Sequence, residues 1–102
     1  MLLRYFNKMQ PRNDLKYSDA NWVLANPGNS YIVYSYDCGW GVGLKQMQEG
    51  KYNLLWMDTV TGKTVSESDI LVKWGTINFK KPKELGEEVV VYIRKNLNNF
   101  HN

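Results

Sequence analysis

The sequence predicts an all-β fold: an antiparallel β-sandwich of about seven to eight short strands, preceded by a short N-terminal helical leader. Three observations support this class. Aromatic residues make up 14% of the 102 residues, and Tyr and Trp favour strands. Short β-branched and aromatic runs recur between turn residues, as is typical of sandwiches. No helical pattern follows any of these runs, so a parallel α/β sheet is not expected.

Residues 1–20 differ from the rest of the chain. Four apolar residues here fall close to helical spacing, namely Leu2, Leu3, Phe6 and Met9. Pro11 ends this pattern, and a polar stretch follows up to residue 19. We therefore expect a leader helix and linker over residues 1–20. A short amphipathic helix needs a partner, which is either this domain or a preceding one.

The β-sandwich is predicted over residues 21–95. A first strand at 22–25 leads into Asn26-Pro27-Gly28-Asn29, where Pro27 and Gly28 fit the second and third positions of a type II turn. The next strand, 30–36, completes a hairpin. Further strands are expected at 42–45, 51–58, 63–66, 69–72, 75–79 and 88–94. Residues 51–58 are apolar on both faces, which is typical of a central strand. Residues 96–102 are expected to be a disordered tail.

Catalytic, metal and cofactor sites are not expected. Cys38 is the one cysteine and His101 the one histidine, so neither a disulfide within the chain nor a zinc cluster can form. Cys38 also lacks a nearby histidine base, and no serine lies in a Gly-x-Ser-x-Gly elbow. The acidic residues show no pair with a reason to converge as a glycosidase pair would.

Composition also bears on the partners. Thirteen Lys and Arg against ten Asp and Glu give a net charge of +3, and the basic residues are scattered, so no nucleic-acid partner is expected. No segment approaches the roughly 20 apolar residues of a membrane span, so no membrane is expected. The first residues do not resemble a signal peptide. The chain is then either intracellular or a piece of a longer, exported protein.

The aromatic residues are the remaining candidates for a binding surface. Trp40 lies between two glycines in a turn, and Trp74 precedes Gly75, so we expect both side chains to be exposed. Tyr34 and Tyr36 share one face of a strand by alternation and complete the candidate ligand-binding set. Trp56 and Trp22 are expected in the core. Sugar rings and proline-rich peptides both dock on exposed aromatic surfaces.

Three segments resemble a known C-terminal module, named after a proposed collagen-binding domain of a collagenase. They are Leu24-Ala25-Asn26-Pro27-Gly28, Tyr31-Ile32-Val33-Tyr34 and Trp56-Met57-Asp58-Thr59-Val60-Thr61-Gly62-Lys63. The family hairpin usually reads Trp-Phe-Asp-Pro-x-Thr-Gly. Met57 and Val60 depart from it, and the family's final Pro-Pro pair and strand are altered here.

This family typically follows an apiosidase-like TIM-barrel glycoside hydrolase domain, and the leader resembles the end of that barrel's last helix. The resemblance therefore implies a non-catalytic accessory module that braces an N-terminal catalytic barrel of the same, exported, parent chain. It implies no cofactor and no specific binding residues. We expect a structural motif, without a binding role, at Pro27, Gly28, Trp56, Asp58, Thr61 and Gly62. A polysaccharide- or collagen-binding module and an independent intracellular interaction domain stay open as alternatives.

Overall fold

The structure, a computed structural model, describes residues 9–96. These residues form nine strands and one 3-10 turn at Asn13–Leu15. The strands are β1 Gln10–Pro11, β2 Lys16–Ser18, β3 Trp22–Asn26, β4 Ser30–Ser35, β5 Gly41–Met47, β6 Gly50–Asp58, β7 Thr64–Val72, β8 Gly75–Lys80 and β9 Val89–Lys95. The predicted all-β class is confirmed. Within residues 9–96, no helix has the length and apolar character needed to cross a membrane.

Two antiparallel sheets enclose the core. The larger sheet has six strands in the order β1-β3-β4-β9-β6-β7, and the smaller has three in the order β2-β5-β8. Strand β6 lies between β9 and β7, so its inward side chains are fully covered, as with Tyr52 and Trp56. Leu44 and Phe79 of the smaller sheet close the core from the other side. The predicted core position of Trp56 is confirmed, since its side chain is 0% exposed.

Residues 10–18, which the sequence assigned to a linker, belong to the two sheets. β1 pairs with β3, β2 pairs with β5, and Leu15 between them is buried in the core. Strands of two and three residues are too short to show an alternating pattern, which is why the sequence did not reveal them. The helix expected up to residue 9 lies outside the described residues except for Met9. Of the expected tail, Asn96 is described, and its N–H bonds the Lys51 carbonyl at 2.7 Å.

The two predicted hairpins are present. Gly28 and Gly62 both have positive φ, +82° and +81°, as their turns require. The expected strands 63–66 and 69–72 are one strand, β7, interrupted by a bulge opposite Asn53. Asp69 has a φ of 57° at this bulge, and its N–H is bonded by the Asn53 side chain. The bulge breaks the alternation, so the sequence showed two short strands instead of one.

The ends of the sandwich differ in what they contain. At one end, here called the terminal end, β1 begins beside Ala25 and β9 finishes with Lys95 bonded to Asn29. The connections 26–29, 47–50 and 72–75 lie at the same end. The opposite end, here called the distal end, holds the loops 36–40, 59–63 and 81–88, which hydrogen-bond to one another through their backbones. The described chain thus enters and leaves the sandwich at one end.

Candidate functional site

Three aromatic rings form a cluster on the outer face of the six-stranded sheet, near the distal end. Trp22 is paired in register with Tyr34, and their ring centroids are 5.5 Å apart with 33° between the planes. The Tyr36 ring also lies beside Trp22, with 6.0 Å between the centroids and 49° between the planes. Trp22 and Tyr36 are 53% and 57% exposed. We call these three residues the aromatic platform.

The expected core position of Trp22 was wrong. Val23 and Ala25 point inward from β3 and are buried, so strand alternation turns Trp22 to the outer face. The residues of β3 are apolar at several neighbouring positions, and such a strand does not reveal by itself which set faces the core. Pairing with β4 decides the question, because Val33 lies opposite Val23 on the inner face.

Polar groups flank the aromatic platform. The Tyr34 hydroxyl donates a 2.6 Å hydrogen bond to Oε2 of Glu88, and this bond raises the pKa of Tyr34. Asn21 accepts the Tyr36 backbone N–H through its Oδ1 atom at 2.9 Å. The first bond holds the Tyr34 hydroxyl in place, and the second holds the backbone that carries the Tyr36 ring.

The same outer face continues away from the platform toward β7. Ile32 and Tyr92 lie in the next row and are half-buried, while Leu55 is exposed. An open depression of about 320 Å³ follows beside the β6–β7 bulge. Its lining combines apolar with polar residues: Asn53, Leu54, Leu55, Ser66, Glu67, Ser68, Tyr92 and Arg94. The face therefore carries a platform at one side and a hollow of mixed polarity at the other.

Trp40 lies at the distal end and is 51% exposed. Its loop is fixed, because Asp19 Oδ2 accepts the backbone N–H groups of Gly39 and Trp40, and Lys81 donates to the Trp40 carbonyl. Among the described residues, the ring pairs that Trp22 makes are with Tyr34 and Tyr36. Trp40 is thus at the same end of the sandwich as the platform, without a ring pair to Trp22.

Trp74 lies at the terminal end and is the most exposed of the four candidates, at 69%. It follows β7 and precedes Gly75, whose partner in register is Met47. The platform stands at the other end of the sheet, separated by the length of β6, about 26 Å for the eight steps of about 3.3 Å between its nine residues. Tyr34, Tyr36 and Trp40 therefore share one end, and Trp74 does not join them in one surface.

The predicted structural motif is a hydrogen-bonded hairpin end. The Asp58 carboxylate accepts the N–H groups of Val60 and Thr61 through Oδ1, and that of Gly86 through Oδ2 at 2.7 Å. These bonds, first of all the one from Gly86, lower the pKa of Asp58. The carboxylate joins the hairpin loop to the loop that precedes β9, which is a structural role.

Trp56, the first residue of the motif, also has a structural role. Its ring is buried, and its Nε1–H donates a 2.9 Å bond to Oε1 of Glu67 on β7. A buried indole N–H needs such an acceptor. Trp56 and Asp58 therefore act in folding, and neither side chain is presented to a ligand.

No group of three or more His, Cys, Asp or Glu side chains within residues 9–96 could hold a metal ion. Cys38 is buried, and desolvation raises the pKa of its thiol, which opposes nucleophilic reactivity. The exposed rings with their flanking amide, carboxylate and hydroxyl groups can stack against a ligand and hydrogen-bond it.

No protein-family model and no curated protein matches this chain in sequence. In structure, the chain is similar to a solved protein titled "Glycoside hydrolase", with a TM-score of 0.61 and 16% sequence identity. The similarity covers 89% of this chain and 22% of the solved chain. At this identity it shows the fold alone. The fold of this chain is thus one that also occurs as a part, about a fifth in length, of a much longer glycoside hydrolase.

Proposed function

We propose that this chain is a non-catalytic accessory domain of a larger glycoside hydrolase-like protein, in which it braces an N-terminal catalytic barrel. One observation carries this proposal: nearly the whole chain corresponds to a minor part of a glycoside hydrolase. A domain that fills 22% of such a protein leaves the rest of its length for other units. The catalytic groups would then lie outside these 102 residues.

The hairpin at the end of β6 supports a closer assignment. Trp56, Asp58, Thr61 and Gly62 retain the pattern of the collagen-binding-domain family, and each has a clear folding role. We assign the chain to this kind of module on that basis. Because the motif is structural, the assignment concerns architecture and carries no collagen affinity.

The terminal end is the surface we assign to the bracing contact. A preceding domain would join the chain just before β1, and β1 begins at this end. Trp74 and Leu71 stand there with 69% and 61% of their surface exposed. In the complete protein, a second domain docked at this end would cover these large apolar side chains and remove them from water.

Sequencing the native coding region upstream of residue 1 tests the proposed parent protein. We expect an in-frame region encoding a barrel-sized glycoside hydrolase domain. An in-frame stop codon directly upstream of Met1 would contradict the accessory role and would favour the independent interaction domain.

A pair of substitutions tests the bracing surface. Trp74→Ser in the complete protein is expected to lower the melting temperature and to expose the interdomain connection to protease, because it removes an apolar contact. In the isolated 102-residue chain the same change should alter stability by no more than about 0.5 kcal/mol, as for other surface positions. Trp40→Ser, at the distal end, is the matched control. Equal effects of both substitutions in the complete protein would argue against docking through the terminal end.

A further inference from the structure

We propose that the outer face of the six-stranded sheet binds a neutral polysaccharide chain, which stacks on Trp22, Tyr34 and Tyr36 and extends toward the hollow beside the β6–β7 bulge. The choice of ligand class rests on the proposed glycoside hydrolase context. The location rests on the structure alone, and it differs from the surface expected from the sequence, which contained Trp74 and lacked Trp22.

The aromatic platform has the chemistry that a sugar ring requires. A pyranose presents C–H groups on its faces and hydroxyl groups around its rim, so its face packs on an aromatic ring while its rim needs hydrogen bonds. Trp22 and Tyr36 offer rings that are more than half exposed. The planes differ by 33° and 49°, so the platform is a bent surface, suited to a polymer whose successive rings change orientation.

Hydrogen-bonding groups stand where the rim of a stacked sugar would lie. Glu88 uses Oε2 for the Tyr34 hydroxyl, which leaves Oε1 as an acceptor for a ligand hydroxyl. Asn21 uses Oδ1 for the Tyr36 N–H, and its Nδ2 group makes no hydrogen bond within residues 9–96. A donor and an acceptor on either side of the rings match a polyol better than an apolar protein surface.

The face is long enough for several sugar units. From β3 to β7 the sheet crosses four interstrand spacings of about 4.8 Å, or about 19 Å. Tyr92 and Leu55 occupy the middle, and the hollow of about 320 Å³ lies at the far side. The side chains of Asn53, Ser66 and Ser68 line that hollow with amide and hydroxyl groups. Such groups hydrogen-bond sugar hydroxyls, and the two charged residues of the lining, Glu67 and Arg94, are opposite in sign, so the hollow has no net charge that would select a charged polymer.

The position of the aromatic platform also leaves it open in the complete protein. The platform is at the distal end, whereas the chain enters and leaves at the terminal end, about 26 Å away. A sugar stacked on the platform would therefore not compete with the bracing contact. A collagen-like peptide is the competing ligand, because proline-rich helices also dock on aromatic rings. The amide- and hydroxyl-lined hollow favours the polyol.

The test is affinity electrophoresis of the 102-residue chain in gels containing neutral polysaccharides: xylan, xyloglucan, galactomannan, arabinan and mixed-linkage glucan. We expect at least one of them to retard the protein, and Trp22→Ala and Tyr36→Ala each to weaken that binding at least about tenfold. Trp74→Ala is the matched control, since it removes an even more exposed ring elsewhere and should bind like the unaltered chain. Urea midpoints of all variants verify that they are folded.

Three results would overturn the site. In the first, none of the polysaccharides retards the protein. In the second, the Trp22→Ala variant binds with the same affinity as the unaltered chain. In the third, a collagen peptide, and none of the polysaccharides, binds through Trp22. Failure here is distinguishable from failure of the accessory role. The upstream coding region and the effect of Trp74→Ser on the complete protein do not depend on any ligand at the platform.

Discussion

Ionisation of Tyr52 is expected to destabilise the fold at high pH. Its side chain is 0% exposed, and its hydroxyl donates a 2.9 Å bond to the Gln48 carbonyl. Burial, with a smaller contribution from Tyr31, raises the pKa of Tyr52 from 10.0 to about 12. The phenolate is therefore less stable in the folded chain than in the unfolded one. The stability that Tyr52 provides is complete below pH 10 and is lost as the pH rises from 10 to about 12.

The magnitude follows from the two pKa values. A difference of about two pKa units corresponds to about 2.7 kcal/mol once both states are ionised. At pH 11.5, where the folded state is only partly ionised, the loss should be about 2 kcal/mol. That is a large share of the roughly 5–15 kcal/mol that stabilises a domain.

Urea unfolding of the 102-residue chain between pH 8 and pH 11.5 measures this loss, with Tyr52→Phe as the control. The variant should be less stable by about 1 kcal/mol at pH 8, because it lacks the bond to Gln48. Between pH 8 and pH 11.5, the variant should lose about 2 kcal/mol less stability than the unaltered chain. The other tyrosines and the lysines titrate in both proteins and cancel. Parallel curves for the two proteins would refute the reasoning.

The remaining predictions concern the hairpin and the smaller sheet. Asp58→Asn should lower the melting temperature at pH 7, and the difference from the unaltered chain should shrink below about pH 4. The folded chain lowers the pKa of Asp58, so the stabilisation by its carboxylate is present above the unfolded-state pKa and is lost as the pH falls through the folded-state pKa. A difference in melting temperature that does not change with pH would contradict this. Gly41→Ala should cost about 1–3 kcal/mol in urea unfolding, since its methyl group would collide with the Phe79 carbonyl. Gly39→Ala is the control: its methyl group would make only an ordinary contact with Asp19, so the change should be close to neutral. Trp56→Phe should cost about 2–4 kcal/mol in urea unfolding, because packing and the bond to Glu67 are both lost. Glu67→Gln keeps an acceptor for the indole N–H and should cost less than half as much. Equal costs of the two substitutions would contradict this prediction, since the loss would then come from the carboxylate charge and not from the indole.

Local chemistry explains which parts of the fold could be predicted from sequence. The Asn26–Asn29 turn and the Asp58–Gly62 loop need particular residue types at particular positions, so they were recognisable without knowing their neighbours. β1 and β2 were not, because two or three residues carry no readable period and are strands only through their pairing with β3 and β5. The bulge at Asp69 likewise concealed the continuity of β7.

The candidate site was only partly predictable, for a related reason. The exposure of Trp40 and Trp74 followed from their neighbouring glycines. That they stand at opposite ends depends on strand order, which is not a local property. Trp22 was misplaced because the two faces of β3 are similar in polarity, and the register with β4 alone turns its ring toward Tyr34. A surface assembled from two neighbouring strands and the loops beside them is visible only once those strands are paired.

The accessory role is the central claim, and calorimetry tests it most directly. The complete parent protein would be compared with a version that ends just before the residues of this chain. A bracing domain predicts that the remaining catalytic part melts at a temperature lower by several degrees, and that Trp74→Ser in the complete protein reproduces part of the decrease. An unchanged melting temperature of the catalytic part, with this domain unfolding in a separate, independent transition, would contradict the account.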